Sequence, residues 1–172
     1  MKWLILGRDG MLGGCLCRYF ASARVEVAAT QRRDSSDRYY LAVDPLDVSI
    51  PTLRAIFSGF DVVVNAIVAK RLDPEKLADY RSSFFVNAYF PHLAARAAAL
   101  QGARFIHIST DGVFSGRGGP YDESSRCDGE DPYALSKRLG EVNEQRALNI
   151  RSSVVGHETG SSRSLLDRKA HV

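Results

Sequence analysis

Tyr133 and Lys137 stand four residues apart in a segment with helical spacing, so they share one helix face, one turn above each other. A phenol with a pKa of about 10 is a poor proton shuttle at neutral pH. An ammonium beside it favours the phenolate and lets the pair trade a proton with a substrate oxygen. Leu135, Leu139 and Val142 read as the opposite, core-facing stripe. Upstream, Ser109-Thr110-Asp111 closes a strand-like run, where a hydroxyl from Thr110 or Ser109 can polarise the same carbonyl or simply cap a turn.

A second constellation opens the chain. The apolar run Lys2–Leu6 leads straight into Gly7-Arg8-Asp9-Gly10-Met11-Leu12-Gly13, a GxxGxxG spacing at the start of a helix. Glycines there permit a tight turn, close approach of backbone to a pyrophosphate, and packing of helix on strand. Phosphate then sits on the helix N-terminus, where free N–H groups favour negative charge. Gly7, Gly10, Met11, Leu12 and Gly13 are therefore the expected dinucleotide cradle.

The rest of that ligand follows from the strand ends. The second strand runs into Thr30-Gln31-Arg32-Arg33, where a cofactor without a 2′-phosphate meets an Asp or Glu. A hydroxyl and a guanidinium suit a 2′-phosphate, so Arg32 points to NADPH, with Asp34 close enough to leave NADH open. Asp47-Val48 is placed to touch adenine, and Asn65-Ala66-Ile67 to line the path toward the nicotinamide.

Short β-branched runs alternate with helix-period segments along the chain. Strands are expected over Lys2–Leu6, Arg24–Ala29, Tyr39–Val43, Asp61–Val68, Arg104–Ser109 and Ile150–Val155. Helices are expected over Gly10–Phe20, Thr52–Phe57, Pro74–Leu100 and Tyr133–Leu148, with a loop over Asp111–Pro132. Such alternation predicts an α/β, Rossmann-like, doubly wound parallel sheet with helices on both faces. Pro91 falls inside the longest helix and predicts a kink or a junction of two helices there.

Composition narrows the classes. The chain has 172 residues, 45% of them hydrophobic and 25% charged, which fits one globular domain over 1–172. A formal net charge of +3, spread along the chain, gives no phosphate-tracking surface, so no nucleic acid is expected. No apolar run approaches the ~18 residues of a membrane span. Gly7 cuts the N-terminal apolar run too early for a signal peptide, so cytoplasmic placement is expected. Cys15 and Cys17 do not face each other on a helix, and Cys127 completes three thiols without disulfide or zinc spacing. His92, His107, His157 and His171 show no ligand spacing, so no metal-ligating residue is assigned and each His reads as structural or solvated.

Taken as a set, Gly7–Gly13, DVVVNA (Asp61–Ala66), FVN (Phe85-Val86-Asn87), STDGVFSG (Ser109–Gly116), YALSKRLGE (Tyr133–Glu141) and RSSVVG (Arg151–Gly156) resemble the extended short-chain dehydrogenase/reductase family, in its branch like dTDP-4-dehydrorhamnose reductase. The resemblance implies Tyr133 as proton donor, Lys137 as its partner and ribose ligand, and Thr110 as the hydroxyl of a triad. It implies Asn87 as a supporting helix Asn acting on Lys137 through water, and Thr110 and Asp111 at the substrate. The implied reaction is hydride delivery from NADPH to the C4 ketone of a 4-keto-6-deoxy nucleotide sugar, with a homodimer as the self-association it allows. Gly112 and Val154 stand where many rhamnose-pathway members carry an aromatic residue and a Trp, so the particular sugar is left open. Asp111-Gly112 lacks the Asp-Glu of related dehydratases, which argues against dehydration. Arg151 reads either as support at the sheet edge or as a plain strand-end charge.

The family pattern runs on past the sixth strand, whereas Arg168-Lys169-Ala170-His171-Val172 no longer follows it. The expectation is an irregular tail over about 157–172 and a largely missing C-terminal substrate-binding part. Apolar sheet and helix surface should be left uncovered as a result. Two alternatives to an active reductase stand beside it: a non-catalytic nucleotide-binding regulatory subunit, and an inactive gene fragment.

Overall fold

The computed structural model describes residues 1–32, 40–69 and 77–154. The expected tail at 157–172, the motif's end at Val155-Gly156, and Arg33, Asp34 and Pro74 lie outside the described residues. Six strands pair in parallel: β1 (Trp3–Leu6), β2 (Val27–Gln31), β3 (Tyr40–Ala42), β4 (Val62–Asn65), β5 (Arg104–Ile108) and β6 (Ala147–Ile150). Their order is β3-β2-β1-β4-β5-β6, the arrangement of doubly wound dinucleotide folds. After β1 the chain adds strands on one side, then returns so that β4 pairs with the other side of β1. The switch point therefore lies at the carboxyl ends of β1 and β4, at Leu6-Gly7 and Asn65-Ala66.

Side-chain alternation divides the sheet into two faces. Leu4 and Leu6 of β1, Val63 of β4 and Phe105 of β5 point to a core closed by helices α2 (Ile50–Phe57) and α4 (Phe90–Leu100). Ile5, Val62 and Val64 point the other way, against Leu16, Cys17 and Phe20 of α1 (Met11–Ser22). Phe57, Phe90 and Phe105 are fully buried, each contributing about 1.5–3 kcal/mol of apolar burial. Pro51 opens α2, and the Ser49 side chain caps it by accepting from the Thr52 N–H at 3.3 Å.

Helix α3 (Leu77–Phe84) and α4 are joined by a π-helical turn over Phe85–Tyr89, in which the Phe90 N–H reaches back five residues to the Phe85 carbonyl. The wide turn resets the helix so that Pro91 falls at the second residue of α4, where a missing N–H is tolerated. The conflict at Pro91 is thus met by a junction of two helices.

Helix α5 (Pro132–Leu139) departs from the expected Tyr133–Leu148. Asp131 caps its start, accepting from the Tyr133 and Ala134 N–H groups at 2.9 and 3.0 Å, and Gly140 ends it. The freed residues turn back, and Asn149 grips the Val142 backbone at both N–H (3.0 Å) and C=O (2.9 Å). β6 consequently begins at Ala147 rather than Ile150. A larger correction concerns the face of α5 that meets the core. Ala134, Ser136 and Lys137 are buried, whereas Leu139 is 54% exposed, so the expected stripe of Leu135, Leu139 and Val142 holds only at Val142. Leu148, 55% exposed, and Ile150 lie on the edge strand β6. None of the described helices is long and apolar enough to cross a membrane.

Candidate active site

At the switch point, Gly7 adopts φ +87°, a backbone conformation that L side chains rarely take. A Cβ there would also stand 2.8 Å from the Ile67 side chain. At Gly13 a Cβ would stand 2.1 Å from the Gly7 carbonyl oxygen, so α1 packs flush on the end of β1 only because that residue is glycine. Gly10 caps α1 with no side-chain hydrogen bond and no acidic residue in the first turn, leaving N–H groups at that end for an anion. A turn closed this tightly by Gly7 and Gly13 onto an open helix N-terminus fits a pyrophosphate.

The Thr30 hydroxyl is not a phosphate ligand of the expected kind. Thr30 is fully buried and accepts the Gly7 N–H at 3.2 Å, while its carbonyl accepts the Arg8 N–H at 2.9 Å. It holds the glycine turn onto β2. Arg32 follows the last residue of β2 and is exposed, and no acidic side chain sits at that strand end among the described residues. Asp47 is exposed after β3, and Val48 packs partly into the core. Asn65 is fully buried rather than lining an open path: its Oδ1 accepts the Ile67 N–H at 3.1 Å and its Nδ2 meets His107 Nδ1 at 3.1 Å. Ala66 is buried beside it and Ile67 half-buried, so these two carry what surface the segment offers.

Across the sheet, Lys137 is drawn in from α5 until it is 1% exposed, and its Nζ donates to the Ile108 carbonyl at the end of β5 at 2.8 Å. Burial pushes its pKa down to about 8, against the upward pull of Glu141. His107 Nε2 lies 3.4 Å from the same Nζ, and burial, then Lys137, hold that imidazole well below its ordinary pKa. Two residues beyond Ile108, Thr110 Oγ1 accepts the Gly112 N–H at 3.1 Å and donates to Asp111 Oδ1 at 3.3 Å, capping a short 3-10 turn. Tyr133 is half-buried one turn before Lys137, and burial, then Asp131 and Asp111, raise its pKa. The expected lowering by the lysine is therefore not what the chain by itself produces; the phenol stays protonated. The Ser109 hydroxyl is spent on Glu141 Oε1 at 2.8 Å, so of the two hydroxyls Thr110 is the one left at the surface of the strand end.

Two supports were not fully legible in the sequence. Asn87, buried in the π-helical turn, accepts the Ala69 N–H and donates to the Ala69 carbonyl, both at 2.9 Å, and donates to Ser136 Oγ at 3.1 Å. Its hydrogen bonds thus tie the segment after β4 to α5, and reach Lys137 only through that helix. Glu141 takes both Arg151 Nε and Nη2 at 2.8 Å, which resolves Arg151 as support. Desolvation raises the Glu141 pKa, but Arg151 and Ser109 more than offset it, so the carboxyl ends below its ordinary value.

A glycine turn at the switch point and a Tyr-x-x-x-Lys helix beside the end of β5 are thus carried on a Rossmann-like, doubly wound parallel sheet. Residues 1–163 match the RmlD substrate binding domain, and the chain belongs to that family. It is 33% identical over 168 residues to the spore coat polysaccharide biosynthesis protein SpsK of Bacillus subtilis, covering 91% of this chain and 54% of that protein. It is 33% identical over 147 residues to dTDP-4-dehydrorhamnose reductase of Mycobacterium tuberculosis, covering 81% of this chain and 44% of the relative. Among solved structures, a hypothetical dTDP-4-dehydrorhamnose reductase from Sulfolobus tokodaii superposes with a TM-score of 0.74 at 31% identity, over 88% of this chain and 56% of that one. The chain spans about half the length of the curated relatives it matches.

Proposed function

We propose that the chain carries the cofactor-binding and proton-donating half of an NADPH-dependent reductase acting on a 4-keto-6-deoxy nucleotide sugar. The observation that carries this reading is the placement of Lys137: buried, one helical turn after Tyr133, and fixed to the carbonyl of Ile108, which stands two residues before Thr110. A bound dihydronicotinamide supplies the hydride. Tyr133, kept protonated by burial and by Asp131 and Asp111, gives its proton to the carbonyl oxygen, so that the ketone becomes a secondary alcohol. Thr110 donates a hydrogen bond to the same oxygen once it turns from Asp111, and Lys137 holds the ribose hydroxyls and supports the phenolate that the transfer leaves.

The cradle of Gly7, Gly10, Met11, Leu12 and Gly13 takes the pyrophosphate, Asp47 and Val48 the adenine, and Ala66 and Ile67 the nicotinamide side. The exposed Arg32 supports NADPH over NADH. Asp111 meets the substrate. The relatives named as dTDP-4-dehydrorhamnose reductases support the substrate class. The intact Thr110, Tyr133 and Lys137 favour a reductase over a non-catalytic subunit. The test is keto-sugar-dependent loss of NADPH absorbance by the purified chain, abolished in Tyr133→Phe. Oxidation of NADPH that Tyr133→Phe leaves unchanged would remove the proposal.

A further inference from the structure

Three linked hydrogen bonds beneath the site decide where one proton sits. The Ile67 N–H has one role, as donor, and it points at Asn65 Oδ1 at 3.1 Å. The other end of that amide, Nδ2, is a donor only and faces His107 Nδ1 at 3.1 Å. Nδ1 must therefore accept, and the neutral imidazole carries its hydrogen on Nε2. Nε2 in turn lies 3.4 Å from Lys137 Nζ, whose other contact is donation to the Ile108 carbonyl at 2.8 Å.

We propose that His107 is a positioning residue for Lys137: its Nε2–H faces Nζ as a donor, matching a lysine amine and opposing a lysine ammonium. An amine has a lone pair for that hydrogen and an N–H left for Ile108. An ammonium has no acceptor to offer, and one of its hydrogens is set against Nε2–H. The Asn65–His107 pair, which has no hydrogen bond to Tyr133 or Thr110 among the described residues, thereby biases the protonation of Lys137.

The neighbouring charged groups do not supply the same bias. Glu141, on the turn after α5, favours the ammonium, but its carboxylate is already taken by Ser109 and Arg151. His92 on α4 acts on His107 and disfavours a second proton there, which keeps the imidazole neutral. Tyr133 lies one turn back on the lysine's own helix, with Asp111 and Asp131 acting on the phenol. Desolvation of Lys137 adds to the bias from His107 rather than replacing it.

The inference rests on Lys137 being the site lysine, and its test needs neither cofactor nor substrate. On the native chain with 15N-labelled histidine, long-range 1H–15N NMR reads which ring nitrogen is protonated. The expected spectrum for His107 has Nε2 protonated and Nδ1 bare; the opposite tautomer, or both nitrogens protonated at neutral pH, overturns the proposal. In a chain labelled with 13Cε-lysine, Lys137 is assigned by its loss in Lys137→Met and followed against pH. Asn65→Leu, which leaves Lys137 and every charge in place, frees Nδ1 to take the proton. The Lys137 titration is then expected to move upward, with at least a tenfold gain in proton affinity. If the tautomer switches and the titration stays, the proposal fails. Should Asn65→Leu not fold, Asn65→Ala removes the same Nδ2 donor without adding a charge, and the histidine spectrum confirms the moved proton. An inactive chain would leave these readings intact, and their failure would leave the reductase reading standing.

Discussion

Gly140 and Asn87 meet backbone against backbone: a Cβ on Gly140 would lie 1.9 Å from the Asn87 carbonyl oxygen. The end of α5 is thereby seated on the π-helical turn that Pro91 requires. Gly140→Ala forces α5 off that seat and is expected to cost about 1–3 kcal/mol, the range for overpacking. Urea denaturation read by circular dichroism checks it, and an unchanged midpoint would show that the seat yields freely.

Asn87 carries more. Its side chain satisfies both backbone groups of Ala69 and meets the Ser136 hydroxyl. Asn87→Ala removes this partner from the Ala69 N–H and C=O, at about 1–3 kcal/mol for each buried unsatisfied group, while the Ser136 hydroxyl keeps its bond to the Tyr133 carbonyl. A fall in stability larger than that of Gly140→Ala is expected in the same denaturation series.

The Glu141–Arg151 pair sets an acid-side dependence. The Glu141 carboxyl titrates below its ordinary value of 4.5 in the folded chain. A depressed folded pKa contributes stability that is present above the unfolded value and is lost as pH falls through the folded one. Glu141→Gln is expected to lower the melting temperature near neutral pH and to flatten its decline between about pH 5 and pH 3. Equal slopes in both proteins would contradict the assignment.

Lys137 acts in the alkaline range with the opposite sense. Its folded pKa of about 8 lies below the ordinary 10.5, so the unfolded chain binds the proton more tightly. The cost of burying the charge is full below about pH 8 and is relieved as pH rises toward 10.5. Lys137→Met should therefore melt higher than the native chain at pH 7, with the gap closing as the pH approaches 10. Calorimetric melts at the two pH values test it.

Much of this was legible in the sequence because it follows from periodicity and backbone sterics. The all-apolar run at Val62–Val64 reads directly as a central strand, and the spacing Gly7, Gly10, Gly13 reads as a turn into a helix. What could not be read depends on which side of an element meets the core. Lys137 is buried and Leu139 exposed because α5 packs its polar face on β5 and the π-helical turn, a tertiary choice that hydrophobic spacing reverses. Thr30 and Asn65 read in the sequence as cofactor contacts and His107 as structural or solvated. Each is a buried polar residue whose partner lies on a neighbouring strand or turn, so no local signal marks it. Gly140 ends α5, but helix-forming residues beyond it, Glu141, Glu144, Gln145 and Arg146, continue the helical pattern in the sequence.

On the proposed reading, the glycine cradle and the Lys137 face hold one nicotinamide dinucleotide between them. Calorimetric titration of the native chain, Gly13→Val and Lys137→Met with NADPH tests it most directly. Saturable one-to-one binding is expected for the native chain, absent in Gly13→Val, where the added Cβ meets the Gly7 carbonyl, and weakened at least tenfold in Lys137→Met. No heat of binding at millimolar NADPH, or equal affinity in all three folded proteins, would contradict it.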